Sequence, residues 1–174
     1  MDVDRARRTL GAMVRARGYT DLTFPTPTRG RATGRPGHPD IFVAFCIADP
    51  KLGVKPLRDL PVDDEPHVLV VYRGTMTSFA RQKVVEMAAD RIVETFAVGE
   101  LQFDIQKHVL VPPHVEVPPR AVRKRGILVE QLPLLLQTDP VVKWHRWPRG
   151  TVVRVTRANP EGHAYVEYRV VGKV

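Results

Sequence analysis

The sequence predicts an α+β fold in two small units, and three observations carry that prediction. Up to residue 97, nearly continuous β-branched runs alternate with amphipathic helical stretches, the texture of strands covered on both faces. From residue 98, short alternating runs and prolines take over and end in a β-hairpin pattern. A hydrophobic content of 43% over 174 residues is enough to build cores for both. The boundary is expected after Ala97, giving units 1–97 and 98–174.

The first element is a helix, because Val3, Ala6, Leu10, Met13 and Val14 follow helical spacing while Arg5, Arg8 and Arg15 fall elsewhere, and Gly18 stops it. Residues 23–40, TFPTPTRGRATGRPGHPD, hold four prolines and three glycines and are expected to form a loop. IFVAFCIA (41–48) and HVLVVYR (67–73) read as buried strands. Thr77 caps a helix, SFARQKVVEMAAD, with Phe79, Val84, Val85 and Ala88 expected to turn inward, and RIVETF follows as a strand. In the second unit LQFDI and HVLV are expected strands, PPHVEVPP a break and AVRKR a small basic helix. Residues 131–155, QLPLLLQTDPVVKWHRWPRGTVVRV, place a short helix after Thr138 as its cap, with Asp139 and Pro140 in the first turn and Pro148 and Gly150 as its stop. TVVRVTR and AYVEYRVV form the terminal hairpin across ANPEGH.

Composition narrows the function classes. The single cysteine, Cys46, excludes a disulfide framework and a thiolate metal cluster and favours a reducing compartment. The N-terminus is charged from its second residue, and no 18-residue apolar span occurs, so a soluble chain that is not secreted and has no membrane partner is expected. The net charge of +8 suits a nucleic acid or an acidic protein as partner. Split after Ala97, the first part carries 15 basic and 12 acidic residues and the second 12 and 7, so both are mildly basic.

No catalytic constellation emerges. Ser78 is the only serine and lacks a nucleophile elbow; it starts a helix. GRATGRPGH has neither the spacing nor the preceding strand of a phosphate loop, and His108 with His114 matches no zinc spacing, so neither cofactor nor metal is implied. Asp40, Asp49 and Lys51 superficially match the carboxylate and lysine pattern of Mg²⁺-dependent nucleases, but Pro50 favours a turn where that chemistry needs a strand. Leu132, Leu134, Leu135 and Leu136 exceed what a short helix hides, so part of that apolar surface is expected to meet a partner chain. Trp144 and Trp147 suit a core or protein interface better than base stacking.

The stretch EQLPLLLQTDPVVKWHRWPRGTVVRVTR followed by YVEYRV resembles the C-terminal signature of the fifth shared subunit of eukaryotic nuclear RNA polymerases, a family with an archaeal counterpart. ETFAVGELQFDIQKHVLVPPHVEV resembles the opening of the same domain, so the likeness spans residues 94–171. Upstream, MVRARGY, FVAFCIADPKLGVK and VVYRGTMTSFARQKV resemble the family's N-terminal jaw domain.

The resemblance implies a subunit with no active site of its own. It implies an abbreviated, nuclease-like α/β jaw near downstream duplex DNA and a C-terminal assembly domain on the largest polymerase subunit, among other polymerase subunits, without homo-oligomerisation. Leu132, Pro133, Leu135, Asp139, Pro140, Arg149, Gly150, Tyr168 and Arg169 match the assembly signature, with Pro133, Gly150 and Tyr168 expected to maintain the fold. Arg73, Thr77, Ser78, Arg81 and Lys83 fall where the family approaches DNA, although the family commonly has proline at the position of Ser78. The trimmed jaw, with RGRATGRPGHP replacing much of its middle, points to a divergent polymerase such as a large DNA virus encodes. The implied location is the nucleus in a cell, or the virion or viral transcription site in a virus. Two other classes stand as alternatives: the nuclease built on Asp40, Asp49 and Lys51, and a freestanding nucleic-acid-binding module.

Overall fold

The computed structural model describes residues 2–34, 37–62, 64–158 and 162–172. The chain is a mixed α+β protein in two compact units, Met1–Asp104 and Ile105–Val174.

In the first unit, helix α1 (Val3–Ala16) is capped by Asp2, whose carboxylate accepts from the backbone nitrogens of Asp4 and Arg5 at 2.9 and 3.0 Å. It buries Ala6, Leu10, Met13 and Val14, and Gly18 follows it at φ +84°. Strands β1 (Thr23–Thr26), β2 (Arg29–Ala32) and β3 (Ile41–Cys46) come next, then β4 (Lys51–Leu52), α2 (Val54–Arg58), β5 (His67–Tyr72), β6 (Thr75–Met76), α3 (Ser78–Met87) and β7 (Ile92–Ala97). The main sheet has the order β1-β2-β3-β5-β7, antiparallel as far as β3 and parallel beyond it.

Burial on both faces explains the unbroken apolar runs of β3 and β5. On one face Phe42, Ala44, Val68 and Val70 form a core with Leu52, Leu57, Val62, Met76, Ala80 and Met87. On the other lies α1: its Arg7 guanidinium sits 5.4 and 5.5 Å from the ring centroids of Phe24 and Phe45. Its C-terminal end is pinned by a buried charge network. The Arg17 guanidinium donates to both Glu94 carboxylate oxygens at 2.7 and 2.8 Å, and Nε2 of the fully buried His67 stands 2.7 Å from Glu94 Oε1.

Two expectations for this unit need correction. Residues 23–32 form a hairpin rather than a loop, and it is tolerable because Pro25 lies on β1, the outermost strand, where a missing N–H costs no ladder bond. Gly30 is what lets that hairpin close, since a Cβ there would stand 2.7 Å from the Phe24 ring and 3.0 Å from the Thr23 carbonyl oxygen. Gly30→Ala should therefore destabilise the first unit by about 1–3 kcal/mol, read as a lower urea midpoint. Helix α3 buries Ala80 and Met87 and half-buries Val84, whereas Phe79 and Val85 are each 72% exposed and Ala88 is exposed. The inward stripe is 80-84-87: Val84 takes its expected place, while Ala80 and Met87 turn inward instead of Phe79, Val85 and Ala88.

The units divide after Asp104 and not after Ala97 because the intervening turn belongs to the first core. Val98 and Leu101 of a 3₁₀ turn (Val98–Leu101) are buried. The Gln102 amide then clasps the start of α1, accepting from Asp2 N at 3.1 Å and donating to Asp2 O at 3.0 Å.

The second unit contains β8 (His114–Val117), α4 (Pro119–Arg123), β9 (Leu134–Leu136), α5 (Pro140–His145), β10 (Val152–Ala158) and β11 (Ala164–Gly172), with sheet order β8-β10-β11-β9. Hairpin β10–β11 pairs from Val152↔Val170 to Ala158↔Ala164 as expected, with residues 159–161 of its connection outside the described residues. One face of this sheet packs Leu135, Val153, Val155 and Val171 against Val141, Val142 and Trp147.

Three expectations fail here. LQFDI and HVLV form turns, with Val109 and Leu110 largely exposed, while HVEV inside the presumed break is β8, paired with β10. Its flanking prolines fall outside the strand, on an edge that does not need their N–H groups. Asp139, not Thr138, caps α5, and the helix ends at His145 with Arg146 in the left-handed region at φ 55°, before Pro148 and Gly150 are reached.

Candidate assembly and nucleic-acid surfaces

The residues of the C-terminal signature prove to be the joints of the second unit. The Pro133 carbonyl accepts from Val170 N at 3.0 Å and so registers β9 beside β11. Leu132 ends the 3₁₀ turn (Val129–Gln131) that leads into it. Asp139 Oδ1 accepts from Val141 N at 2.8 Å, and Pro140 occupies the first helical position, where no N–H is needed. Asp139→Ala should cost about 1 kcal/mol in an equilibrium melt, the usual worth of such a cap. Gly150 adopts φ +89°, which favours glycine, and its N–H donates to Val171 O at 2.9 Å; Arg149 precedes it, exposed. Tyr168 lies under the Arg125 guanidinium, 5.8 Å from its ring centroid. Arg169 donates to the Leu134 carbonyl at 3.4 Å and to Glu167 at 3.3 Å.

Leu135, expected at a partner interface, points into the core and is 7% exposed. Its neighbours Leu134 and Leu136 alternate to the opposite face and are 48% and 42% exposed. The apolar excess evident in the sequence is real, but it resides on those flanking leucines.

In the first unit, the carboxyl ends of β3 and β5 converge on a small parallel pair, β4 with β6, in which Lys51 lies opposite Thr75. Thr77 Oγ1 accepts from Ala80 N at 3.1 Å and starts α3, so its first duty is the cap. Arg73, Ser78 and Arg81 are exposed around this end. Burial raises the Tyr72 hydroxyl pKa; the Glu100 charge adds to that and the Arg81 charge opposes it. Lys83 is less available to a phosphate, because its ammonium donates to Glu86 at 2.8 Å; that hydrogen bond and charge lower the Glu86 pKa.

The nuclease constellation does not come together. Asp40 precedes β3 and accepts from Gly34 N at 2.8 Å, while Asp49 and Lys51 follow the strand, so a six-residue strand, roughly 20 Å of extended chain, separates them. No group of three metal-ligating side chains occurs among the described residues, and no helix of the described residues is long and apolar enough to cross a membrane.

The division at Asp104 also redraws the charge. Residues 1–104 hold 15 basic and 14 acidic side chains, and residues 105–174 hold 12 and 5. The positive charge therefore belongs to the second unit, whereas a boundary after Ala97 spreads it over both.

Residues 103–171, nearly the whole second unit, match the family model described as RNA polymerase Rpb5, C-terminal domain. Over 200 aligned residues the chain is 28% identical to subunit RPABC1 of DNA-directed RNA polymerases I, II and III from Caenorhabditis briggsae, covering 96% of this chain and 94% of that one. The counterpart from Caenorhabditis elegans is 29% identical with the same coverage, and that from Dictyostelium discoideum is 28% identical over 75% of this chain and 72% of its own. The match to the Rpb5 C-terminal domain model thus falls almost wholly in the second unit, and the similarity to the two Caenorhabditis RPABC1 subunits extends through the first unit as well.

Proposed function

We propose that the chain is a non-catalytic subunit of a multisubunit DNA-dependent RNA polymerase, active in transcription through assembly rather than chemistry. The observation that carries this reading is the match of one compact unit, over residues 103–171, to the Rpb5 C-terminal domain. In this reading the second unit docks on the largest polymerase subunit. The first unit serves as an abbreviated jaw, with the β4–β6 end and the start of α3 toward downstream duplex DNA. Its net charge is close to zero, so DNA contact rests on a few exposed cations, Lys51, Arg73 and Arg81, acting on phosphates without reading bases. The location follows the template: the nucleus in a cellular host, or the virion or viral transcription site in a viral one.

Affinity purification of the tagged full chain from its native source tests the assembly. Co-purification of the two large polymerase subunits, with template-dependent RNA synthesis in the eluate, is the expected result; a clean monomer would overturn it. The DNA-facing role has a separate measure. In the assembled polymerase, Arg73→Ala and Arg81→Ala should each reduce the slope of log affinity for downstream duplex against log salt by about 1, equally for all sequences. An unchanged slope in both variants would remove those residues from the DNA path.

A further inference from the structure

The positive charge of the second unit is neither spread evenly nor neutralised. Arg120, Arg123 and Lys124 are exposed and stand at helical spacing, so they share one side of α4 and its C-terminal cap, while Val122 between them is buried. The Arg125 guanidinium follows, 5.8 Å from the Tyr168 ring centroid. Tyr168 in turn pairs across the sheet with Arg154, which is exposed beside it. Arg120, Arg123, Lys124, Arg125 and Arg154 thus form one run of cations from α4 onto the strands β11 and β10.

Elsewhere carboxylates offset the cations. In the first unit Arg15, Arg17, Arg31 and Lys83 each pair with an acidic side chain, and in the second Arg157 and Arg169 share Glu167. The cations of the run have no such partner among the described residues. Asp139 caps α5, and Glu116 projects from β8 to the side opposite Val115, the cross-strand neighbour of Arg154. Glu130, exposed in the 3₁₀ turn (Val129–Gln131), is the acid nearest the α4 cations in sequence. The second unit has 12 basic against 5 acidic side chains and the first 15 against 14, so much of the chain's unbalanced charge lies around α4.

We propose that this run is a contact surface for the phosphate backbone of a nucleic-acid duplex. It goes beyond the subunit role above, which places DNA against the first unit alone. Guanidinium forks match phosphate geometry, and each phosphate neutralised releases condensed counterions; all but Lys124 of these cations are arginines. The contact reads no sequence, because stacking on bases needs an open aromatic ring and Tyr168 is covered by Arg125. An acidic protein segment fits less well: protein interfaces bury an apolar centre depleted of lysine, whereas the exposed side of α4 offers cations and prolines. A two-fold pairing with a second copy would oppose the run to like charge.

The test titrates a short labelled DNA duplex of arbitrary sequence with the full chain, by fluorescence anisotropy over a series of salt concentrations. Wild type should bind with a dissociation constant of about 10⁻⁵ M near physiological salt. The combined variant Arg120→Ala, Arg123→Ala, Lys124→Ala should bind about tenfold or more weakly, and its slope of log affinity against log salt should flatten by about 2–3. A charge-matched control, Arg5→Ala, Arg29→Ala, Lys55→Ala, removes exposed cations of the first unit and should keep both values near wild type. Arg123→Lys, which retains the charge, should keep them too. Unchanged circular dichroism and melting temperature establish that each variant folds. No binding by wild type, or equal losses in the α4 variant and its control, overturns the proposal. Displacement of the duplex by polyglutamate as readily as by unlabelled duplex overturns it in favour of an acidic protein. Co-purification with the large polymerase subunits reports separately on the subunit role, and the α4 variant should keep it. A wild type that binds duplex but brings down no polymerase removes the subunit role and leaves this surface standing.

Discussion

Glu94→Gln is expected to destabilise the first unit by about 3–5 kcal/mol at neutral pH, the usual cost of removing one partner from a buried ion pair. Arg17 and His67 have side chains 5% and 0% exposed, so the guanidinium would be left with an amide oxygen in place of a carboxylate. Burial alone would push the Glu94 carboxyl up, but the hydrogen bond to His67 and the charge and hydrogen bonds of Arg17 outweigh it and bring it down to about 2. A carboxylate held below its ordinary value of 4.5 adds stability that is fully present above pH 4.5 and is lost as the pH falls through about 2. The gap corresponds to about 3 kcal/mol. Wild type should therefore lose stability to urea steeply between those pH values, and Glu94→Gln should lose correspondingly less. A variant within about 1 kcal/mol of wild type at pH 7 would show that the network does not hold α1 to the sheet.

That network is not legible in the sequence. Arg17, His67 and Glu94 lie far apart along the chain, and in each local window one polar residue beside an apolar run looks like an element boundary. Only the parallel register of β5 with β7, which sets Leu69 opposite Glu94, turns that carboxylate inward. Strands β3 and β5 are legible because burial on both faces leaves an unbroken apolar run. The hairpin at residues 23–32 and strand β8 escape for the opposite reason: prolines hide an edge strand from composition, though not from the sheet. Helix α3 illustrates the weakness of periodicity over a few turns, since its exposed Phe79 and Val85 match the apolar pattern as well as Val84 does.

The C-terminal signature is legible because it specifies joints whose chemistry is local: a capping carboxylate at 139, a proline at the first helical position, a glycine at positive φ. The sheet those joints support is not. Its order requires the pairing of β8 with β10, and in the sequence β8 reads as a break. The charge imbalance is blurred likewise, because Glu100 and Asp104 belong to the first unit and cancel its positive charge rather than that of the second.

The same alternation decides what a substitution in the leucine run reports. Leu135→Asp should destabilise the second unit by about 4 kcal/mol or more, enough to leave it largely unfolded, because the carboxylate would enter an apolar core with Val153, Val155, Val171 and Trp147. Its failure to join a polymerase would then measure folding and not contact. Leu134→Asp, one residue away on the other face and half-exposed already, should cost about 1 kcal/mol or less while weakening assembly as strongly. Thermal melts and co-purification of the two variants side by side separate the effects. If Leu135→Asp melts like wild type, the placement of β9 is wrong; if Leu134→Asp assembles normally, the exposed leucines are not part of the interface.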